Sequence, residues 1–263
     1  MKQILFAYDG SHTAESALGD LPRMGLAKDA SICVLVVVPE GASAEQLGKA
    51  EKQTEHATQV IRGLLPQVTL DSMIVAGQAA EQILREANEQ KSELIVIGAH
   101  GKSAVERFFF GSVSTKVAAE APCAVRICRH HREPGFQHLR LTLAVDGSQG
   151  SELAIASVLG RAWPQGTAFH VVSVVESGHE AHTPSLQQML NKVAKLIVDA
   201  GFLAVPVLLE GNPAKALVKH SESWAPHCII LGSRGIDHGE TRKLGTLATA
   251  MVNQVECEVE VIR

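Results

Sequence analysis

Two sets of small residues in this chain have the types and spacing to hold an anion. Gly98, Gly101 and Gly111-Ser112 follow the pattern G-x2-G-x9-G-S, and Gly232, Gly235 and Gly245-Thr246 repeat it with threonine last. A glycine at the end of a strand allows close backbone approach, and a second supports an unusual turn. A Gly-Ser or Gly-Thr pair opening a helix offers free N–H groups and the positive end of the helix dipole, which suit phosphate. Ser112 could also cap that helix or give its hydroxyl to a phosphate or metal-bound water. Lys102 and Arg107 in the first loop, and Arg234, Arg242 and Lys243 in the second, could neutralise phosphate charge. The second loop also carries Asp237 and Glu240, which oppose phosphate, so the first is the better candidate.

Other chemistries fit less well. GAHGKS at 98–103 resembles the end of a P-loop, but the first glycine of that motif would fall at Val96. No GxGxxG follows an expected strand, so a dinucleotide loop is not indicated. Phe108-Phe109-Phe110 suits packing at a loop base better than base stacking. His179 and His182 have the i, i+3 spacing of one helical face, and His130-His131 are adjacent, yet no cysteine stands at metal-site spacing. No metal site is expected. Ser11 and Ser148 follow Asp-Gly, but there is no GxSxG elbow and no evident base, so no catalytic residue is assigned.

The elements that would position these loops occur twice. LFAYDGS at 5–11 matches LTLAVDGS at 141–148, placing Asp146 137 residues (146 − 9) beyond Asp9. IVIGAHG at 95–101 matches IILGSRG at 229–235, an offset of 134 (229 − 95) shared by Gly77 with Gly211 and Cys123 with Cys257. Runs of strand length and β-branched content fall near 3–8, 31–38, 69–75, 93–98 and 123–128, then near 139–145, 167–175, 204–209, 228–232 and 257–262. Helical stretches lie between them, near 12–25, 43–65, 78–90 and 111–120, then near 149–163, 183–201, 213–223 and 244–254. Strands apolar on both faces and separated by helices imply parallel sheets covered on both sides. The expectation is α/β: two doubly wound five-stranded parallel-sheet domains, 1–129 and 139–263, joined by a polar linker at 130–138 containing Pro134-Gly135.

Composition agrees. The 263 residues are 46% hydrophobic and 20% charged, enough to bury two cores, and the net charge of −4 comes without a basic block. No nucleic-acid or membrane partner is expected. The opening MKQILFAYDGS breaks at Tyr8 and reads as no signal peptide. Five scattered cysteines without a CxxC pair read as reduced thiols of a cytoplasmic protein.

The order strand–Asp-Gly-Ser, then G-x2-G-x9-G-[ST], then a strand after Ala-Pro-Cys resembles the universal stress protein family. Residues 95–129 are very similar to its terminal signature, and 229–263 form a more divergent copy, so the chain resembles a tandem member. The resemblance implies an adenine-nucleotide α-hydrolase-like, Rossmann-like fold and ATP, with Mg²⁺, as the ligand. It points to Ala7 and Asp9, with Asp146, beside the nucleoside, and to Val37 and Val174 meeting adenine through their backbone. Gly98, Gly101, Lys102, Gly111, Ser112 and Val113 would line ribose and phosphates, as would Gly232, Gly235, Gly245 and Thr246. Family dimers pair through their last strands, here AVRIC at 124–128 and EVEVI at 258–262, where Arg126 would face Glu258 and Glu260. That implies one continuous sheet, an intrachain pseudo-dimer, and leaves a homodimer open. The implied function is ATP-binding regulation in the stress response through protein partners not named by the sequence, without enzymatic activity. A nucleotide-free scaffold and a slow ATPase stay open. Related ATP pyrophosphatases and nucleotidyltransferases need SGGxDS or HxGH near the first strand, and neither is present.

Overall fold

A computed structural model describes residues 1–99, 111–129, 138–235 and 244–263. The chain divides into two compact units, Met1–His130 and His131–Arg263.

In the first unit, β1 (Gln3–Ala7), β2 (Ser31–Val38), β3 (Thr69–Ala76), β4 (Leu94–Gly98) and β5 (Ala124–Cys128) alternate with α1 (His12–Asp20), α2 (Ala44–Leu64), α3 (Ala79–Glu89) and α4 (Ser112–Glu120). The strands lie in the order β3-β2-β1-β4-β5, all parallel. Ile4, Leu5, Phe6 and Ala7 are consecutively buried because helices cover both faces of β1, which is why the strand lacks polar alternation. The edge strand β3, by contrast, exposes Thr69, Asp71 and Ser72. Helix α1 stops at Asp20, short of the expected 25, because Pro22 forces a tighter turn over Leu21–Arg23.

The second unit repeats the plan. Its strands are β6 (Arg140–Ala144), β7 (Ala168–Val175), β8 (Leu203–Glu210), β9 (Cys228–Gly232) and β10 (Glu258–Ile262), its helices α5 (Gln149–Leu159), α6 (Thr183–Asp199), α7 (Pro213–Trp224) and α8 (Thr246–Gln254). The order is β8-β7-β6-β9-β10, again parallel. Helix α5 ends at Leu159, before Gly160, rather than at 163. Arg161, just beyond it, reaches back to Glu260 on β10; both side chains are buried, with Arg161 Nη1 3.0 Å from Glu260 Oε2.

Each chain path leaves the first strand in one direction and returns on its other side, so strand order reverses between β1 and β4 and between β6 and β9. Such a switch point opens a crevice at the carboxyl ends of the two strands.

Candidate functional site

Several of the residues singled out in the sequence lie at the two switch points. In the first unit, Ala7 ends β1 in register with Ile97 of β4 and Leu35 of β2, and the exposed Asp9 follows. Asp9 Oδ1 accepts the Ser11 N–H at 2.9 Å, closing a turn in which Gly10 has φ +67°. Ser11 caps α1 by accepting the Ala14 N–H at 3.3 Å. Val37 lies half-buried near the end of β2 at the same edge of the sheet.

Gly98 meets this turn from β4. A Cβ there would lie 2.5 Å from Thr13 Oγ1 and 3.1 Å from the Ala14 nitrogen. Its smallness therefore seats β4 against the start of α1, a role beside the ligand approach expected from the sequence. Beyond it, Ala99 O receives the Gly111 N–H at 3.1 Å and Ser114 Oγ at 2.9 Å, which brings the start of α4 back to the strand end. Gly111 is itself the N-cap, in extended conformation, with no side-chain cap on the helix. Ser112 is the first helical residue, so it does not cap as the sequence suggested; exposed there, with half-buried Val113 next, it presents the open first turn to solvent. Gly101 and Lys102, together with His100, Arg107 and the three phenylalanines, lie outside the described residues.

The second unit builds the same cradle with tighter contacts. Asp146 Oδ1 accepts the Ser148 N–H at 2.9 Å, and Ser148 caps α5 at Ser151. Val174 occupies the half-buried place of Val37 near the end of β7. A Cβ on Gly232 would lie 2.5 to 2.8 Å from the Gly150 backbone, and one on Gly150 would lie 2.3 Å from the Arg234 carbonyl. Gly235 sits against Asp146, whose Oδ2 would be 2.6 Å from an added Cβ. The Gly245 N–H donates to Ser233 O at 2.8 Å, and Thr246 opens α8 on its exposed side. Asp237, His238, Glu240, Arg242 and Lys243 lie outside the described residues. The structure thus brings together Asp9, Gly98, Gly111 and Ser112 in one unit and Asp146, Gly232, Gly235, Gly245 and Thr246 in the other.

Sequence reasoning missed the residues that brace these turns. Gln53 of α2 donates from Nε2 to Asp9 O at 2.6 Å. The Tyr8 hydroxyl donates to Glu15, whose other oxygen lies 3.1 Å from His56 Nε2. Burial and that bond to Glu15 push the Tyr8 hydroxyl well above the usual phenol range. Only the pairing of Thr13 with Gly150 at corresponding places in the repeat carried a usable signal. His179 and His182 stack at 5.8 Å before and within the short turn that leads into α6, and among the described residues no three His, Cys, Asp or Glu converge as a metal cluster.

A model of the universal stress protein family matches residues 1–129 and again 139–263. The chain belongs to that family. As a tandem universal stress protein it is 37% identical over 139 residues to a universal stress protein of Thermus aquaticus, a match covering 49% of this chain and 98% of the relative. Among solved structures, a universal stress protein from Archaeoglobus fulgidus superposes with TM-score 0.75 at 23% identity, covering 99% of this chain and 97% of that one. A functionally unknown protein from Pseudomonas aeruginosa superposes with TM-score 0.68 at 12% identity, over 100% and 92% of the two chains. At such identities these structures bear on the fold alone. No helix among the described residues is long and apolar enough to cross a membrane.

Proposed function

We propose that this tandem universal stress protein is a cytoplasmic ATP-binding regulator, with one adenine-nucleotide site at each switch point. The observation that carries the reading is the convergence, twice, of an Asp-Gly-Ser turn, a glycine strand end and a helix start without a side-chain cap. Helix N–H groups at Ser112 and Val113, or at Thr246, would face phosphate, with Lys102 as a cationic partner in the first loop. Asp9 and Asp146 would lie beside the nucleoside, and Val37 and Val174 would offer backbone groups to the base. Mg²⁺ would arrive with the phosphates, since it retains water and needs few protein ligands. The two domains, 1–129 and 139–263, would report occupancy to protein partners. We read the activity as binding rather than turnover.

The first site is the stronger of the two. In the second, Gly235 rests on the Asp146 carboxylate, so a phosphate must displace an acidic group already in contact with the loop. Acid release of ligand from freshly purified protein, followed by assay for adenine nucleotides, tests the reading. About one to two adenylates per chain, according to whether the weaker site keeps its ligand, support it; a release containing none, from protein that also fails to bind added ATP, contradicts it.

A further inference from the structure

Away from both switch points, near the start of β7, two imidazoles meet. His170 Nδ1 lies 3.3 Å from His220 Nε2 of α7. The His170 ring is stacked on Trp224 at 3.5 Å between centroids and 11° between planes, and the Arg140 guanidinium lies 4.8 Å from the Trp224 ring centroid. A ring clamped in this way has lost the orientational freedom that a surface histidine must give up on binding a ligand.

We propose that His170 and His220 form a two-imidazole site for a divalent transition metal, zinc being the best fit. Zinc–nitrogen bonds of ~2.0–2.1 Å at the tetrahedral angle place two ligand nitrogens about 3.3 Å apart, the separation already present. Burial, then the facing His220 and Arg140, lower His170 from 6.5 to about 4, and burial lowers His220. One ring now donates its proton to the other. Metal entry requires that this proton move to the remote nitrogen of its own ring and that the rings tilt so that both lone pairs meet at the metal, with no net proton release. Water completes the sphere, because no third His, Cys, Asp or Glu joins the pair among the described residues. A cavity of about 280 Å³ between β8 and α7, lined by Glu210, Lys219, His220 and Ser223, reaches the His220 side of the pair, with the opposite charges of Glu210 and Lys219 on its wall. The nearby positive charge of Arg140 sets a limit on affinity.

The fold does not demand imidazoles at this place. By the repeat offsets, the first unit puts Cys33 (170 − 137), Glu86 (220 − 134) and Gln90 (224 − 134) in the corresponding positions. The histidines and the tryptophan are thus particular to the second unit.

Trp224 supplies the readout. Nickel(II), which imidazole also binds, should quench the Trp224 share of the fluorescence of nucleotide-free protein in a saturable step. The step should be absent from Trp224→Phe, should move at least tenfold to higher nickel in His170→Asn and in His220→Asn, and should be reversed by zinc. Circular dichroism identifies variants that fold, and His220→Asn, on the half-buried helix face, decides the matter if His170→Asn does not. A nickel midpoint in His220→Asn within twofold of the parent, or a parent with no saturable quenching, overturns the proposal.

Discussion

Gly232→Ala probes how closely a strand end is seated on the neighbouring helix. The added methyl would fall 2.5 Å from Gly150 C, 2.6 Å from its oxygen and 2.8 Å from its Cα, where ordinary contact begins at 3.4 Å. All three atoms are backbone, so the first turn of α5 must retreat on the order of 1 Å, and that turn is itself pressed on the Arg234 carbonyl. Overpacking of this kind costs ~1–3 kcal/mol, and we place Gly232→Ala near the upper end. Gly98→Ala meets chiefly Thr13 Oγ1, a side-chain atom that can turn aside, with the Ala14 nitrogen at 3.1 Å. It should cost about 1 kcal/mol, and most of that should be recovered by adding Thr13→Ala. No side chain exists to trim in the Gly232 case. Urea denaturation followed by circular dichroism gives both values as midpoint shifts at unchanged slope. If Gly98→Ala proves the more damaging, or Thr13→Ala fails to relieve it, the steric account is wrong.

Arg161→Ala removes the buried guanidinium that donates to Glu260 and should cost ~1.5–3 kcal/mol, the range for hydrogen bonds to a charged group, read by the same denaturation as a midpoint shift; an unchanged midpoint would contradict it. His170, lowered by burial to about 4 against 6.5 when free, gives the pH dependence a definite sign. The unfolded chain takes up the proton first, so this contribution to stability is complete above pH 6.5 and declines as pH falls towards 4. Arg140 and His220 face the same ring and oppose its protonation. Replacing His170 with Phe should flatten the stability profile between those pH values; an unchanged profile would show that His170 is not its source.

Most of the architecture was legible because its causes are local. Runs such as Ile4–Ala7 and Ile32–Val38 are apolar on both faces only when helices cover both, and the repeat offsets mark each strand twice. Helix ends were less legible where Pro22 or Gly160 acted after several further residues of helical pattern. The switch-point residues Asp9, Gly98 and Gly111 were visible through spacing, yet their partners were not. Whether a glycine serves a ligand or a helix is decided by what lies opposite it, and Thr13 and Gly150 are distant in sequence from Gly98 and Gly232. Gln53 and His56 sit on a long amphipathic helix where nothing in the pattern separates them from neighbouring polar residues. The His170–His220–Trp224 cluster escaped for a similar reason: histidines 50 residues apart are joined only by the packing of α7 on β7.

Equilibrium binding of ATP with Mg²⁺ to the parent protein, Gly111→Val, Gly245→Val and the double variant bears most directly on the proposed function. Gly111 (φ −63°, ψ 138°) and Gly245 (φ −65°, ψ 164°) have backbone conformations that valine also adopts, so the added side chains obstruct phosphate without a backbone-angle penalty, and circular dichroism checks that each variant folds. The parent should bind ATP, Gly111→Val should lose the tighter site, Gly245→Val should lose only the weaker, and the folded double variant should bind none. A parent that binds no adenine nucleotide, or a double variant that binds ATP as the parent does, would contradict the assignment of the two switch points as nucleotide sites.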